Sequence, residues 1–262
     1  MLRGALVLCL LCLVAGTARA GQEGARLSLL PGWQLENGNH MAGIEIRLPR
    51  GWKTYWRRPG EAGIPPDFDW AGSRNVADIH VHWPVPHVFH QGGLRSIGYA
   101  EGVVLPVEVV PARPGAPVTL SLRAGIGMCQ DICVPVSAGA EATLPASGGR
   151  ADARIRAALA DRPLTAAEAG ARADCRIATG PDGATLSARL SLPSLGPSEE
   201  VVFEPADPAL WVSEPQARRE GDALLTSARI EAPRGVPLAI DRSALRTTVI
   251  GARGAVEIRG CN

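Results

Sequence analysis

The chain has 262 residues, of which 46% are hydrophobic, and this length suits one large or two small domains. Its 27 Lys and Arg residues are balanced by 26 Asp and Glu residues, which gives a formal net charge of +1. A balance so close to neutral excludes a strongly basic surface for nucleic acid and any strong attraction to an anionic membrane. We therefore expect no nucleic-acid partner.

The first twenty residues have the three parts of a secretory signal peptide. Arg3 supplies a positive start, residues 5–15 form an apolar run, and Ala18-Arg19-Ala20 is a small-residue cleavage site. The apolar run is too short for a comfortable membrane span, and no later run is long enough to cross a bilayer. We therefore predict a signal peptide at 1–20, followed by an exported, soluble chain without a membrane span.

Short alternating segments bounded by Pro and Gly dominate the remaining sequence. Because hydrophobic and polar residues alternate in them, these segments predict half-buried β-strands. The clearest are residues 42–48, 102–109, 118–124 and 184–190, and residues 219–225 carry the Gly-Asp signal of a hairpin. The sequence therefore predicts an all-β protein made of β-sandwiches.

One segment in the middle of the chain departs from this pattern. Residues 150–161 are rich in Ala and Arg, Ile155 and Leu159 lie four residues apart, and Pro163 follows, so a short helix is predicted. Residues 166–173 have the character of a linker. We therefore divide the chain into a first β-sandwich domain at 21–149, a helical linker at 150–172 and a second β-sandwich domain at 173–262.

Four cysteines remain once the predicted signal peptide is removed: Cys129, Cys133, Cys175 and Cys261. In an oxidising compartment an even number indicates two disulfides, and four cysteines allow three connectivities. A zinc site is the alternative, but C-x3-C followed by two isolated cysteines does not match the paired C-x2-C spacing of structural zinc. We expect neither a metal nor another cofactor.

Cys175 and Cys261 lie at the two ends of the predicted second domain. A bridge between them would join its first strand to its last and enclose nearly the whole domain. On the chain-entropy description such a loop contributes about 4 to 5 kcal/mol to stability. We therefore interpret this pair as a structural disulfide.

Cys129 and Cys133 are separated by only three residues. A fully extended segment of this length would hold the two Cα atoms about 13 Å apart, beyond disulfide reach, so the chain must turn between them. Closing so small a loop removes little unfolded-state entropy. The pair is therefore either an exchanging redox disulfide or a plain hairpin clip, and the spacing alone favours neither.

Several separate blocks of sequence together resemble one known protein family. They are Gly51–Gly60, Gly63–Trp70, Trp83–Pro86, Ile97–Tyr99, Val104–Val107 and Cys129–Pro135, with Leu210–Pro215 and Ile258–Cys261 in the tail. The first six resemble, in order, the N-terminal periplasmic domain of the DsbD family of thiol:disulfide interchange proteins. The resemblance is strong over residues 30–145 and closest to the ScsB-like (suppressor of copper sensitivity) branch, whose second extracytoplasmic domain the tail resembles.

The resemblance implies an immunoglobulin-like first domain with an exchanging pair, Cys129 and Cys133. By its match to the second cysteine of the family, Cys133 is expected to attack and to form the mixed disulfide, which Cys129 resolves. The implied partners are thioredoxin-like periplasmic proteins. Because the cleaved chain has no membrane helix and no thioredoxin-like C-x-x-C, a separate membrane electron donor is implied as well, and the direction of electron flow stays open. If active, the protein would be a protein-disulfide reductase or interchange enzyme.

The family also implies a loop that caps the cysteine pair with an aromatic ring. Residues 87–93 lie where that loop belongs, and Phe89 is their only aromatic residue of the Phe, Tyr or Trp type. Gly92 and Gly93 are candidate hinges. The alternative is that Phe89 belongs to the core. No Lys, Arg or His lies between the cysteines, so any activation of the thiols must come from tertiary neighbours.

Histidines supply the weak candidates for a metal site. His80 and His82 flank Val81 on a predicted strand, so their side chains would share one face, and His87 and His90 follow closely. Imidazoles suit copper. We favour the simpler interpretation of exposed histidines, because no spacing here is specific. The alternative function is accordingly a non-catalytic envelope binding module, with two permanent disulfides and a role in copper handling.

Overall fold

The computed structural model describes residues 24–180 and 183–261. The predicted signal peptide at 1–20 lies outside these residues. Within them the protein consists of four β-sheets and two short helices, so the all-β class predicted from the sequence is confirmed. No helix in the same ranges is long and apolar enough to span a membrane.

The first half of the chain forms ten strands. They are β1 (Arg26–Gln34), β2 (His40–Arg47), β3 (Lys53–Tyr55), β4 (Asp67–Asp69), β5 (Val76–Val81), β6 (His87–Gln91), β7 (Leu94–Ala100), β8 (Gly102–Pro111), β9 (Val118–Cys129) and β10 (Cys133–Leu144). One sheet has the order β1-β2-β8-β5. The other has the order β10-β9-β3-β7-β6, with β4 also paired to β9. We call these two antiparallel sheets the first sandwich.

The second half begins with helices and continues as strands. Its elements are α1 (Ala153–Ala160), β11 (Leu164–Thr165), α2 (Ala166–Ala169), β12 (Arg172–Gly180), β13 (Gly183–Ser191), β14 (Glu200–Glu204), β15 (Trp211–Val212), β16 (Gln216–Glu220), β17 (Ala223–Glu231), β18 (Arg246–Gly251) and β19 (Gly254–Arg259). One sheet has the order β11-β19-β18-β14. The other has the order β12-β13-β17-β15, with β16 also on β17. These two sheets are the second sandwich.

The alternating sequences explain why these segments form strands. In β13 every second residue is buried, from Ala184 through Leu190, while the residues between them face outward. In the first sandwich the fully buried Trp56 packs among the inward residues of β2, β8 and β9. Burying a side chain of this size contributes about 2 to 3 kcal/mol. The same cluster includes Val202 and Ile250 of the second sandwich, so the two sandwiches pack against each other.

The helical segment between the sandwiches is partly as predicted. Asp152 caps α1 by accepting a hydrogen bond from the Arg154 backbone, and the helix buries Ile155 against the first sandwich. The expected linker at 166–173 is different, because it contains α2 and the start of β12. Thr165 and Glu168 form a reciprocal capping box, which is the local reason why this short helix begins there.

Cys175 and Cys261 form a disulfide in the second sandwich. Cys175 lies on β12 and Cys261 follows β19, and their Cα atoms are 5.7 Å apart across a sequence separation of 86. Both side chains pack against the apolar core of this sandwich. The bond therefore joins the first full-length strand of the second sandwich to the end of its last strand.

Candidate functional site

The other disulfide closes the hairpin between β9 and β10. Cys129 and Cys133 are directly paired in the antiparallel register, with their Cα atoms 4.1 Å apart. The tip consists of Gln130, Asp131 and Ile132, and the Gln130 backbone donates a hydrogen bond to the Ile132 carbonyl over 3.2 Å. Both cysteines belong to the strands, so the hairpin expected from the C-x3-C spacing forms with a three-residue tip.

Cys129 and Cys133 differ sharply in solvent exposure. Cys129 is only 4% exposed, because β9 is covered on its other side by β3. Cys133 is exposed, because β10 is the edge strand of the sheet. Next to it, Ile132 is 70% exposed at the tip. An approaching thiolate therefore meets the Cys133 side of the disulfide first.

Tyr55, the last residue of β3, contacts the exposed cysteine. Its phenol oxygen lies 3.1 Å from the Cys133 sulfur and 3.4 Å from the Ala62 carbonyl oxygen. Because a disulfide sulfur carries no proton, the phenol is the donor toward Cys133. Burial raises the pKa of Tyr55, which keeps the phenol protonated and able to donate.

Glycine at position 127 makes room for this tyrosine. A Cβ atom on Gly127 would lie 2.8 Å from the Tyr55 ring and 2.7 Å from the Cβ atom of Ile64, closer than side chains tolerate. The neighbouring Thr54 hydroxyl donates a hydrogen bond of 2.9 Å to the Gly127 carbonyl oxygen. The ring is therefore seated over the backbone of β9, two residues before Cys129.

Cys129 has Cys133 as its neighbour on β10 and Lys53 as its neighbour on β3. Lys53 is the only lysine in the chain and is 9% exposed, and its backbone is the direct register partner of Cys129. Its ammonium donates to the Ser96 hydroxyl over 3.1 Å and to the Gln91 side-chain oxygen over 3.3 Å. Burial lowers the pKa of Lys53. Sequence reasoning missed both Lys53 and Tyr55, although the presence of a single lysine among so many arginines was a visible signal.

The segment expected to cap the site is a strand in a hairpin and not an open loop. Gly92 and Gly93 both have positive φ angles, 61° and 80°, and form the two-residue turn between β6 and β7. Phe89 is half-buried and lies outside the core cluster, with its ring centroid 4.9 Å from the Lys53 ammonium. Gln91 donates to the Gln130 carbonyl over 3.2 Å, so the hairpin touches the cysteine tip. A hinge role for the two glycines stays a prediction.

Side chains of the second sandwich also contact the β6–β7 hairpin. Arg95 on β7 is 5% exposed and donates a 2.8 Å hydrogen bond to Glu200, and its Nε atom lies 3.3 Å from a Glu214 oxygen. His90 on β6 is 3.6 Å from the Glu200 carboxylate. Nearby, Arg57 pairs with Glu204 of the second sandwich over 2.8 Å. Glu200 of β14 therefore links the second sandwich to β6 and β7, and Glu204 of the same strand links it to Arg57.

His80 and His82 lie away from the cysteines. β5 ends at Val81, so His82 is one residue beyond the strand on which it was expected. The His80 ring is 3.3 Å from Asp78, and the His82 ring is 3.7 Å from Glu108. Among residues 24–180 and 183–261, no group of three or more His, Cys, Asp or Glu side chains is arranged to hold a metal ion.

Two comparisons with known proteins bear on the fold and on the family of the first sandwich. No curated protein sequence matches the chain. The crystal structure of the N-terminal periplasmic domain of ScsB from Proteus mirabilis is similar in fold, with a TM-score of 0.62 and 22% sequence identity, over 90% of each chain. Residues 26–145 match the family described as "Thiol:disulfide interchange protein DsbD, N-terminal". The resemblance predicted from the sequence is thus confirmed: the first sandwich is similar to the N-terminal domain of the DsbD family.

Proposed function

We propose that this protein exchanges thiols and disulfides with other proteins through the Cys129–Cys133 pair. The observation that carries the proposal is the asymmetry of the bond, in which the exposed sulfur of Cys133 is joined to the buried Cys129 at a three-residue tip. Exchange requires a sulfur that a partner thiolate can reach and a second cysteine close enough to resolve the mixed disulfide, and the difference in exposure decides which sulfur is attacked. The match of residues 26–145 to the DsbD N-terminal family supports the same chemistry.

Reduction of the pair takes two displacement steps. A partner thiolate attacks the Cys133 sulfur, a new sulfur–sulfur bond forms, and the electron pair of the broken bond leaves on Cys129 as a thiolate. A second thiolate of the partner then attacks the partner sulfur of this mixed disulfide and releases Cys133. Two electrons have passed to the pair, and the partner dithiol has become a disulfide.

The reduced pair passes the electrons on by the reverse route. The Cys133 thiolate attacks the disulfide of a client protein and forms a mixed disulfide with one client sulfur. Cys129 then attacks Cys133, which restores the internal disulfide and releases the client as a dithiol. The Tyr55 phenol, 3.1 Å from the Cys133 sulfur, stabilises negative charge on it by hydrogen bonding.

Phe89 and its hairpin act in this proposal as a cap. The ring is half-buried, it belongs to no core cluster of the described residues, and it packs on the Lys53 ammonium beside the buried cysteine. Gln91 of the same strand holds the cysteine tip through Gln130. The hairpin covers the side of the disulfide at the buried Cys129, and a docking thioredoxin-like partner would reach the exposed Cys133 sulfur.

The proposed setting is the bacterial periplasm, with residues 1–20 directing export. Thioredoxin-like periplasmic proteins are the proposed partners, and a separate membrane protein supplies the electrons. The Cys175–Cys261 disulfide is assigned a structural role, because it encloses most of the second sandwich and packs on its core. Copper handling is not needed for this chemistry.

Trapping with a defined partner tests the proposal. A thioredoxin variant that retains only its exposed active-site cysteine is loaded with thionitrobenzoate, and release of the dye reports each mixed disulfide formed. The Cys129→Ala protein, with Cys133 free, should react at least about tenfold faster than the Cys133→Ala protein, whose remaining thiol is buried. Equal rates for the two variants would overturn the proposal and leave a static binding module.

A further inference from the structure

Lys53 carries a buried charge that has no anionic partner. Its ammonium contacts two neutral groups, the Ser96 hydroxyl and the Gln91 amide oxygen, and the ring of Phe89. Among the residues that the structure describes, no carboxylate lies within ion-pair distance of it. Buried lysines are rare and are usually paired, because an uncompensated buried charge is costly. An anion that formed beside this ammonium would offset that cost.

The strand register places this charge beside the buried cysteine. Lys53 on β3 is directly opposite Cys129 on β9 in an antiparallel pair. Directly opposed residues project to the same face of the sheet with Cβ atoms about 4.5 to 5.5 Å apart. The lysine side chain has a flexible four-carbon stem, so its ammonium can turn from Ser96 to the Cys129 sulfur without any movement of the backbone.

Opening the disulfide creates the missing anion at this position. When a partner thiolate bonds to the Cys133 sulfur, the electron pair of the broken bond stays on the Cys129 sulfur. Cys129 is 4% exposed, so water solvates the new thiolate poorly. A buried thiolate is stabilised by a neighbouring cation.

We propose that Lys53 is the counter-cation of the Cys129 thiolate, and that its ammonium exchanges its contacts with the cap for the thiolate when the disulfide opens. The inference rests on the proposed exchange function and names the residue that stabilises its leaving group. It also links the redox state to the cap, because the ammonium leaves Phe89 and Gln91 as it turns.

The other charged or titratable groups of the site do not take this role. Tyr55 contacts Cys133 and not the buried cysteine. Asp131 lies in the exposed tip and carries the same charge as a thiolate. His90 faces Glu200 of the second sandwich. Lys53 is thus the cation that the sheet register brings to Cys129.

A titration of Cys129 alone tests the proposal. In the full chain with Cys133→Ser, the ultraviolet absorbance of the thiolate is followed against pH, with and without Lys53→Met. Loss of the cation should raise the pKa of Cys129 by about one unit or more, which is roughly tenfold less thiolate at a given pH below the pKa. Lys53→Arg should restore most of the difference. Arg123→Met, which removes an exposed cation of β9, the strand of Cys129, should leave the pKa of Cys129 unchanged.

An unchanged Cys129 pKa in Lys53→Met would overturn the proposal, even if partner trapping succeeds. A shifted pKa together with failed trapping would instead reject the exchange function and keep the role of Lys53.

A second measurement needs no substitution. Because Lys53 is the only lysine, an amine-acylating reagent reports on it alone, apart from the chain terminus. Pairing with a thiolate stabilises the ammonium, so reduction of the wild-type protein should slow acylation of Lys53 several-fold. Equal or faster acylation after reduction would contradict the proposal.

Discussion

The phenol oxygen of Tyr55 lies 3.1 Å from the sulfur of Cys133, across a sequence separation of 78 residues. β3 supplies the tyrosine and β10 the cysteine, and β9 lies between these two strands in the sheet. The contact gives the exposed sulfur a fixed hydrogen-bond donor whatever partner approaches from solvent. The reactivity of Cys133 should therefore depend on this one phenol.

Replacing Tyr55 by Phe should raise the pKa of the Cys133 thiol. A hydrogen bond to a charged group is worth about 1.5 to 3 kcal/mol, which corresponds to a rise of about one to two units when it is lost. Since the Tyr55 pKa is raised by burial, the phenol stays protonated throughout the range in which the thiol titrates. The measurement is a thiolate titration in the Cys129→Ala background.

Tyr99→Phe is the control for that substitution. Tyr99 is also buried, but its phenol donates to the Pro84 carbonyl over 2.9 Å and has no role at the disulfide. Tyr99→Phe should lower the stability of the protein somewhat, and it should leave the pKa of Cys133 unchanged. A Cys133 pKa that is the same in the Cys129→Ala protein with and without Tyr55→Phe would show that the contact is irrelevant to reactivity.

Gly127→Ala should weaken the Tyr55–Cys133 contact, as Tyr55→Phe does, because it displaces the Tyr55 ring. Its new Cβ atom would collide with Tyr55 and Ile64, so we expect a loss of about 1 to 3 kcal/mol in stability and slower reaction of Cys133. Gly125→Ala is the matched control two residues earlier on β9, where the nearest atom would be 3.9 Å away. Chemical unfolding and the dye-release rate measure the two effects. Equal behaviour of the two variants would show that Gly127 does not seat the tyrosine.

Glu200→Gln should loosen the cap hairpin. The substitution removes the charge that pairs with Arg95 on β7 and lies near His90 on β6. Amide hydrogen exchange of β6 should become faster, while that of β1 stays the same, because β1 belongs to the opposite sheet. Glu231→Gln, which removes an exposed pair with Arg229, is the control and should leave β6 unaffected. Unchanged exchange in β6 would mean that the second sandwich does not restrain the cap.

The two disulfides should differ in their contribution to stability. On the chain-entropy description, a loop with a sequence separation of 4 contributes about 2 kcal/mol and one with a separation of 86 about 4.6 kcal/mol. Urea unfolding of the Cys129→Ala/Cys133→Ala protein and of the Cys175→Ala/Cys261→Ala protein should therefore show the larger loss in the second. The reverse order would make the short bridge the structural one.

Local patterns in the sequence were sufficient to predict four of the strands and the cysteine hairpin. Alternation identified β2, β8, β9 and β13, and the three-residue spacing of Cys129 and Cys133 required a turn. Both predictions rest on residues close in sequence, for which the geometry of the chain limits the possible local structure.

The groups around the cysteines could not be predicted in this way. Lys53 and Tyr55 reach the site because β3 pairs with β7 on one side and with β9 on the other, and such a register depends on tertiary packing. The same holds for Arg95, whose partner Glu200 is 105 residues away. The cap was expected to be a loop because the family resemblance implies one, yet the Gly92-Gly93 turn folds His87–Gln91 back onto β7 as a strand.

The reduction potential of Cys129–Cys133 tests the central claim most directly. The wild-type protein is equilibrated in glutathione buffers of graded potential, and the state of each cysteine is read by alkylation and peptide mapping. We predict that 129 is linked to 133 and 175 to 261, that the first pair is reduced at a potential above about −300 mV, and that the second stays oxidised there. A Cys129–Cys133 pair that resists reduction as strongly as Cys175–Cys261, or a crossed linkage between the two pairs, would contradict the account.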